Sequence, residues 1–211
     1  MIDYFFKGGP VMYPLLVCSI VSLTLIIERL IFWWRESRER DGALVERVLT
    51  LSDQEDYEAI ARETAGSKDC VVRMLVCGLV HREYSLENAL EMAAAEEVKR
   101  MRRNMAPLDT IITLAPLLGI LGTVTGIINS FHILGQATIE TPQAVTAGIA
   151  EALITTATGL VIALFTLIAF NYFNVKIDAA ASLMEKYGTS LEIVMNRRRN
   201  GEEAQKRLQV L

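Results

Sequence analysis

Charged residues vanish from three long windows of the chain. Gly8 to Ile27 contains no Asp, Glu, Lys or Arg, and neither does Thr110 to Ile139. Thr141 to Val175 is broken only by Glu151. About 20 helical residues cross a hydrocarbon core about 30 Å thick, so each window predicts a transmembrane helix, over residues 11–34, 107–134 and 144–175. The intervening pattern is helical as well. Residues 35–106 contain no Pro, and Leu44, Val48, Leu51 and later Met74, Leu75, Cys77 and Leu79 recur at helical spacing. Ser85 reads as an N-cap with Glu87 in the first turn, opening a helix that runs unbroken through Ala93–Ala95 to Met105 and, joined to the second span, projects beyond the bilayer. Ile2, Tyr4, Phe5 and Phe6 predict a short interfacial helix stopped by Gly8-Gly9-Pro10. Asp178 to Arg199 predicts one helix leaving the membrane, with a polar end from Gly201 that frays. The expected fold is all-α: a polytopic membrane protein with three transmembrane helices and a helical cytoplasmic extension.

Composition agrees, since 52% of the 211 residues are hydrophobic and the mean hydropathy is +0.31. The distribution of charge says more than its net value of −4. Of the 21 Lys and Arg, only Lys7 precedes the first window, and the turn over 135–143 has none. The rest flank the opposite ends: Arg35, Arg38 and Arg40 after span one, Lys99, Arg100, Arg102 and Arg103 before span two, Lys176 and Lys186 after span three. The positive-inside rule therefore places residues 1–10 and 135–143 outside, and residues 35–106 and 176–211 in the cytoplasm. Trp33 and Trp34 fit an aromatic belt at the inner interface, with the pair Glu28 and Arg29 about a turn inside it. The first window reads as a retained anchor, because Asp3 sits beside Lys7 and no small-residue cleavage site precedes Glu28. Topology accounts for the basic clusters, which are interleaved with acids, so nucleic acid is not an expected partner. Cys18, Cys70 and Cys77 have no companions at metal-ligand spacing and read as reduced packing residues. No nucleophile elbow, phosphate-binding loop or metal cluster stands out, so neither an enzyme nor a cofactor is expected.

Glu151 is the candidate for chemistry. A carboxyl at that depth costs about 2.5–3.5 kcal/mol on insertion scales, whereas interhelical polar contacts in membranes return about 0.6 kcal/mol on average. A structural role alone does not cover that cost, which favours a group that handles protons, ions or a partner's charge. On a helix of 100° per residue, Ala147, Gly148, Thr155, Thr158 and Ile162 lie within about 60° of Glu151. In span two, Pro116, Gly119, Gly126 and Ser130 lie within about 60° of Thr123. That stripe reads either as close helix packing, Gly122 and Gly126 forming a small-xxx-small pair, or as a hydroxyl-bearing pore wall. His132 and Asn129 fall near the outer end and read as interfacial.

The run Gly119 to Phe131 (GILGTVTGIINSF) resembles the second-span signature of the MotA/TolQ/ExbB proton channel family, and Gly148 to Leu160 (GIAEALITTATGL) resembles its third-span signature. The Gly9-Pro10 opening and the three-span plan extend the likeness over nearly the whole chain. The resemblance implies a homo-oligomeric ring, a pentamer, enclosing the single transmembrane helices of an ExbD/TolR-like partner that bears an aspartate. It also implies proton flow that drives those helices and, through a TonB- or TolA-like protein, work at the outer membrane. The family's glutamate falls on Glu151 and its threonines on Thr123 and Thr156. Thr156 lies about 140° from Glu151 on a straight helix and Thr155 about 40°, so both threonines stand as candidates beside Thr158, with Gly122 and Gly159 on the packing or pore face. A MotA-like stator subunit, which typically has four spans, and a purely structural scaffold are the alternatives.

The charge asymmetry gives a direct expectation. A green fluorescent protein fused after Leu211 should fluoresce and an alkaline phosphatase at the same place should be inactive. The opposite pattern would invert the topology.

Overall fold

The computed structural model describes residues 8–136 and 142–209, which form seven helices. They are α1 (Met12–Arg38), α2 (Gly42–Gln54), α3 (Tyr57–Glu63), α4 (Cys70–Val80), α5 (Arg82–Met101), α6 (Met105–Gln136) and α7 (Pro142–Gln209). The N-terminal aromatic cluster Ile2–Phe6 and positions 137–141 of the turn between the second and third spans lie outside the described residues. Within α1, α6 and α7 lie three stretches long and apolar enough to cross a membrane, Met12–Arg38, Met105–His132 and Thr146–Arg198. The chain is a membrane protein, all-helical over its described residues.

Contacts divide the chain into two compact units. The first comprises Met1–Leu30 and Asn104–Phe173. Its core is thin: Val11, Met12, Leu15 and Cys18 of the opening turn and α1 meet Ile111 and Ala115 of α6 and Ala163 of α7. Val17, Ile20, Leu23, Leu117, Val124, Ile128, Leu160, Leu164 and Phe165 are exposed. So much outward apolar surface is untenable in water and suits lipid or another protein. In the second half of α1, Arg29 is 2% exposed and grips its neighbour Glu28 with Nε and Nη2, both at 2.6 Å. Asn104 Nδ2 donates to the same carboxylate at 3.3 Å. The adjacent pair thus neutralises itself, as a buried guanidinium requires.

The second unit comprises Ile31–Arg103 and Asn174–Leu211. Val45, Val48, Leu51, Ile60, Cys70–Val72, Met74, Leu75, Leu79, Leu90 and Met101 are buried here together with Ile177, Ala180, Met184 and Leu191 of α7. Three aspartates start its helices by accepting first-turn N–H groups: Asp41 from Leu44 at 3.0 Å, Asp56 from Ala59 at 2.9 Å, and Asp69 from Val71 at 2.7 Å and Val72 at 3.3 Å. Asp69 also accepts the backbone N–H of Asp41 at 2.8 Å, tying the start of α4 to the start of α2. Glu36 and Glu97 are linked through Arg100, at 3.0 and 3.1 Å, and Arg73 closes on Glu97 at 2.7 Å. Cys18, Cys70 and Cys77 are free thiols. Burial, then the nearby Glu36 and Asp69 carboxylates, pushes the Cys70 thiol up to about 12, so it stays protonated and inert.

Ser85 caps as its sequence context predicts: it has extended backbone (φ −168°, ψ 106°) and accepts the Asn88 N–H at 3.3 Å. The helix it starts is not continuous with span two. It ends at Met101, and Asn104 adopts φ 63° before α6 begins. Asn tolerates the left-handed conformation better than other non-glycine residues and stops a helix much as Gly does. The expected unbroken helix into the membrane is therefore corrected to two helices.

Because Asp69 is 2% exposed and satisfies three backbone donors, Asp69→Ala should destabilise the protein by about 1–3 kcal/mol. Thermal unfolding followed by circular dichroism measures this, and Asp69→Asn should recover part of the loss.

Candidate functional site

Helices α6 and α7 approach within backbone reach, and glycine permits it. A Cβ on Gly119 would stand 3.0 Å from Thr156 Cα and 3.2 Å from the Thr155 carbonyl oxygen. One on Gly126 would meet Ala152 Cβ at 3.0 Å and the Gly148 carbonyl oxygen at 3.1 Å. Gly122 leaves room for Thr155, Gly148 for Ser130, and Gly159 for the carbonyl of Ala115. The facing positions on α7 are thus Gly148, Ala152, Thr155, Thr156 and Gly159, at helical spacings of three and four. Thr156 Oγ1 donates across the interface to the Gly119 carbonyl at 2.8 Å. Thr155 is fully buried and donates to the Ala152 carbonyl of its own helix at 2.8 Å. Both threonines, which straight-helix geometry sets apart relative to Glu151, therefore pack against α6.

The same contacts fix where Glu151 looks. The centre of the α6-facing set on α7 lies about 80° around the helix from Glu151. The half-buried carboxyl points instead to the opening turn of α1, where Gly9 has φ 68°. A Cβ on Gly9 would overlap Glu151 Oε1 outright and would lie 2.7 Å from Cδ. One turn along α7, Ile154 Cγ2 lies 3.5 Å from the Cβ position of Gly8. The Gly8-Gly9 pair reads from the sequence as a helix breaker. Its role as the surface beneath the carboxyl appears only in three dimensions, although two adjacent glycines where a turn needs only one were a signal.

Thr123 lies about 60° from the centre of the packing face on α6. It is half-buried and donates to the Ile120 carbonyl at 2.6 Å. With Ile127 and Phe131 it lines a groove of about 330 Å³ whose other wall is Ile149, Ala152 and Leu153 of α7. Glu151 is not among the groove's lining residues, so the structure places the two in different surroundings. Ser130 is buried and donates to the Gly126 carbonyl at 2.9 Å, and Thr158 donates to the Ile154 carbonyl at 2.8 Å. Pro116 sits half-buried inside α6, where it supplies no N–H to the helix. Asn129 and His132 are exposed. Glu151 remains the one carboxylate in the apolar stretch of α7, flanked by hydroxyls that are satisfied by backbone carbonyls.

The model for the MotA/TolQ/ExbB proton channel family matches residues 68–186. An ExbB-like 1 biopolymer transport protein from Synechocystis sp. is 39% identical over 204 residues, covering 92% of this chain and 78% of its own. The ExbB-like 3 protein of the same organism is 36% identical, with 90% and 92% covered. The Tol-Pal system protein TolQ of Haemophilus influenzae is 34% identical over 49% of this chain and 44% of its own.

Backbone approach at Gly159 cannot relax by moving a side chain, because a Cβ there would strike the Ala115 carbonyl. Gly159→Ala should therefore destabilise the α6–α7 pair by about 1–3 kcal/mol. Gly135→Ala, with nothing within 4 Å, should be near neutral. Melting of the detergent-solubilised protein distinguishes the two.

Proposed function

Because the chain belongs to the MotA/TolQ/ExbB proton channel family, we propose that it is the proton-conducting subunit of an inner-membrane motor complex of the ExbB/TolQ type. The observation that carries this reading is Glu151: one carboxyl in an apolar span, turned off the packing face and held at a shaped surface. In this reading copies of the chain form a pentameric ring with the N-terminus outside and the tail in the cytoplasm. The ring encloses an ExbD/TolR-like single-span protein, and proton flow energises TonB- or TolA-dependent work at the outer membrane. The three apolar helices among the described residues support this branch over a MotA-like stator, which typically has four spans.

Glu151 would carry the proton, alternating between a neutral acid and a carboxylate as an acidic partner residue approaches and withdraws. Protonation removes repulsion between the two acids and frees the partner helix to move. One elementary charge crossing 100 mV supplies about 2.3 kcal/mol, enough to bias each such step. The hydroxyls of Thr123, Thr155, Thr156 and Thr158 would complete the pathway once neighbouring subunits and the partner are in place. Of these, Thr123 lines the groove between α6 and α7.

Glu151→Gln keeps size and polarity but removes the ionisable group. In liposomes carrying the complex with its single-span partner, this variant should lose proton uptake. Accumulation and native oligomeric mass should be retained. Undiminished uptake would overturn the assignment and leave a structural scaffold as the explanation.

A further inference from the structure

The opening turn of α1 lies outside the family-matched segment 68–186, yet it touches the carboxyl on which the proposed function rests. Gly9 is committed on two sides. Its carbonyl accepts the Met12 N–H at 3.2 Å, and the Pro10 carbonyl accepts the Tyr13 N–H at 3.3 Å, so the turn is fixed to the start of α1. Its Cα faces Glu151, whose Oε1, Cδ and Cγ crowd the space where a side chain would begin, with Cγ at 3.4 Å from the Cβ position. Gly8 is buried against the Met12 side chain, with Ile154 Cγ2 of α7 at 3.5 Å from its Cβ position, three residues on from Glu151. The positive φ of Gly9 is needed to present bare backbone there. A glycine required only to end a helix or open a turn would not need an empty Cβ position filled by a carboxylate on another helix.

We propose that Gly9 is a positioning residue for proton transfer, its bare Cα forming the seat that sets where the Glu151 carboxyl stands. The first span then acts as more than an anchor, because its opening turn supplies a wall of the proton site. This inference rests on the reading of Glu151 as the proton carrier. Adding a methyl group at position 9 pushes the carboxyl off its seat, since the three heavy atoms nearest to it all belong to Glu151. Shortening the acid by one methylene should restore the space.

The test uses the complex with its single-span partner in liposomes, with a pH-sensitive dye reporting uptake across a range of external pH. Four variants are compared: Gly9→Ala, Glu151→Asp, the double variant, and Glu151→Gln. Misplacing a reacting group by about 1 Å costs up to about a hundredfold in rate, so Gly9→Ala should lower uptake by about tenfold to a hundredfold. It should also displace the pH midpoint of uptake, while accumulation and native mass are unchanged. The double variant should exceed Gly9→Ala in uptake. Wild-type uptake and midpoint in Gly9→Ala would overturn the proposal. So would a double variant no better than Gly9→Ala, since backbone strain at a positive φ would then explain the loss. Full uptake in Glu151→Gln would instead remove the proposed function itself, a result distinct from either.

Discussion

The close approach of α6 and α7 governs the rest of the membrane unit. Lipid offers no hydrophobic reward for bringing helices together, so association depends on van der Waals contact and on hydrogen bonds that need short distances. Gly119, Gly122 and Gly126 on one helix and Gly148 and Gly159 on the other remove the side chains that would hold the backbones apart. The Thr156 hydroxyl can then reach the Gly119 carbonyl. Once these contacts are made, neither helix can rotate about its axis without driving a Cβ or a hydroxyl into a neighbouring backbone. Everything else on the two helices takes its direction from that lock.

Glu151 shows the consequence. It sits at the margin of the locked face, so its carboxyl turns to the opening of α1. Gly9 accommodates it there, and the surrounding hydroxyls are spent on carbonyls. An acid that is costly to insert is thereby held against the opening turn of α1, while the neighbouring hydroxyls bond backbone carbonyls. The thin core and wide apolar exterior of this unit suit a chain whose outer surface meets lipid or another protein. The second unit follows different rules: aspartate caps, a linked set of ion pairs and a core of Val, Leu and Met, as in a water-facing helical domain.

Much of this was legible in order along the chain. The uncharged windows correspond to stretches of α1, α6 and α7, and the Ser85 cap follows from a polar residue ahead of an acidic first turn. The helix expected to run on to Met105 stops earlier: no Gly or Pro marks the break, and only the left-handed backbone of Asn104 reveals it. Arg29 and Glu28 were recognised as neighbours near membrane depth. Their direct bidentate pairing is a matter of rotamers that spacing does not specify.

The sequence alone determined that three helices are apolar enough to span a membrane, that one of them carries a lone acid, and that glycines and hydroxyls share its neighbourhood. Composition and period suffice for those conclusions, because hydrophobic length and 3.6-residue repetition are local properties. The tertiary structure decided which sector of each helix faces which neighbour. Periodicity centred the stripe of α6 on Thr123, whereas packing centres it on the glycines, leaving Thr123 to a groove. It also turned Thr155 and Thr156 together onto α6 and brought Gly9, 142 positions away in sequence, under Glu151. Rotation about a helix axis is set by steric fit between two surfaces, and one strand of sequence describes only one surface at a time.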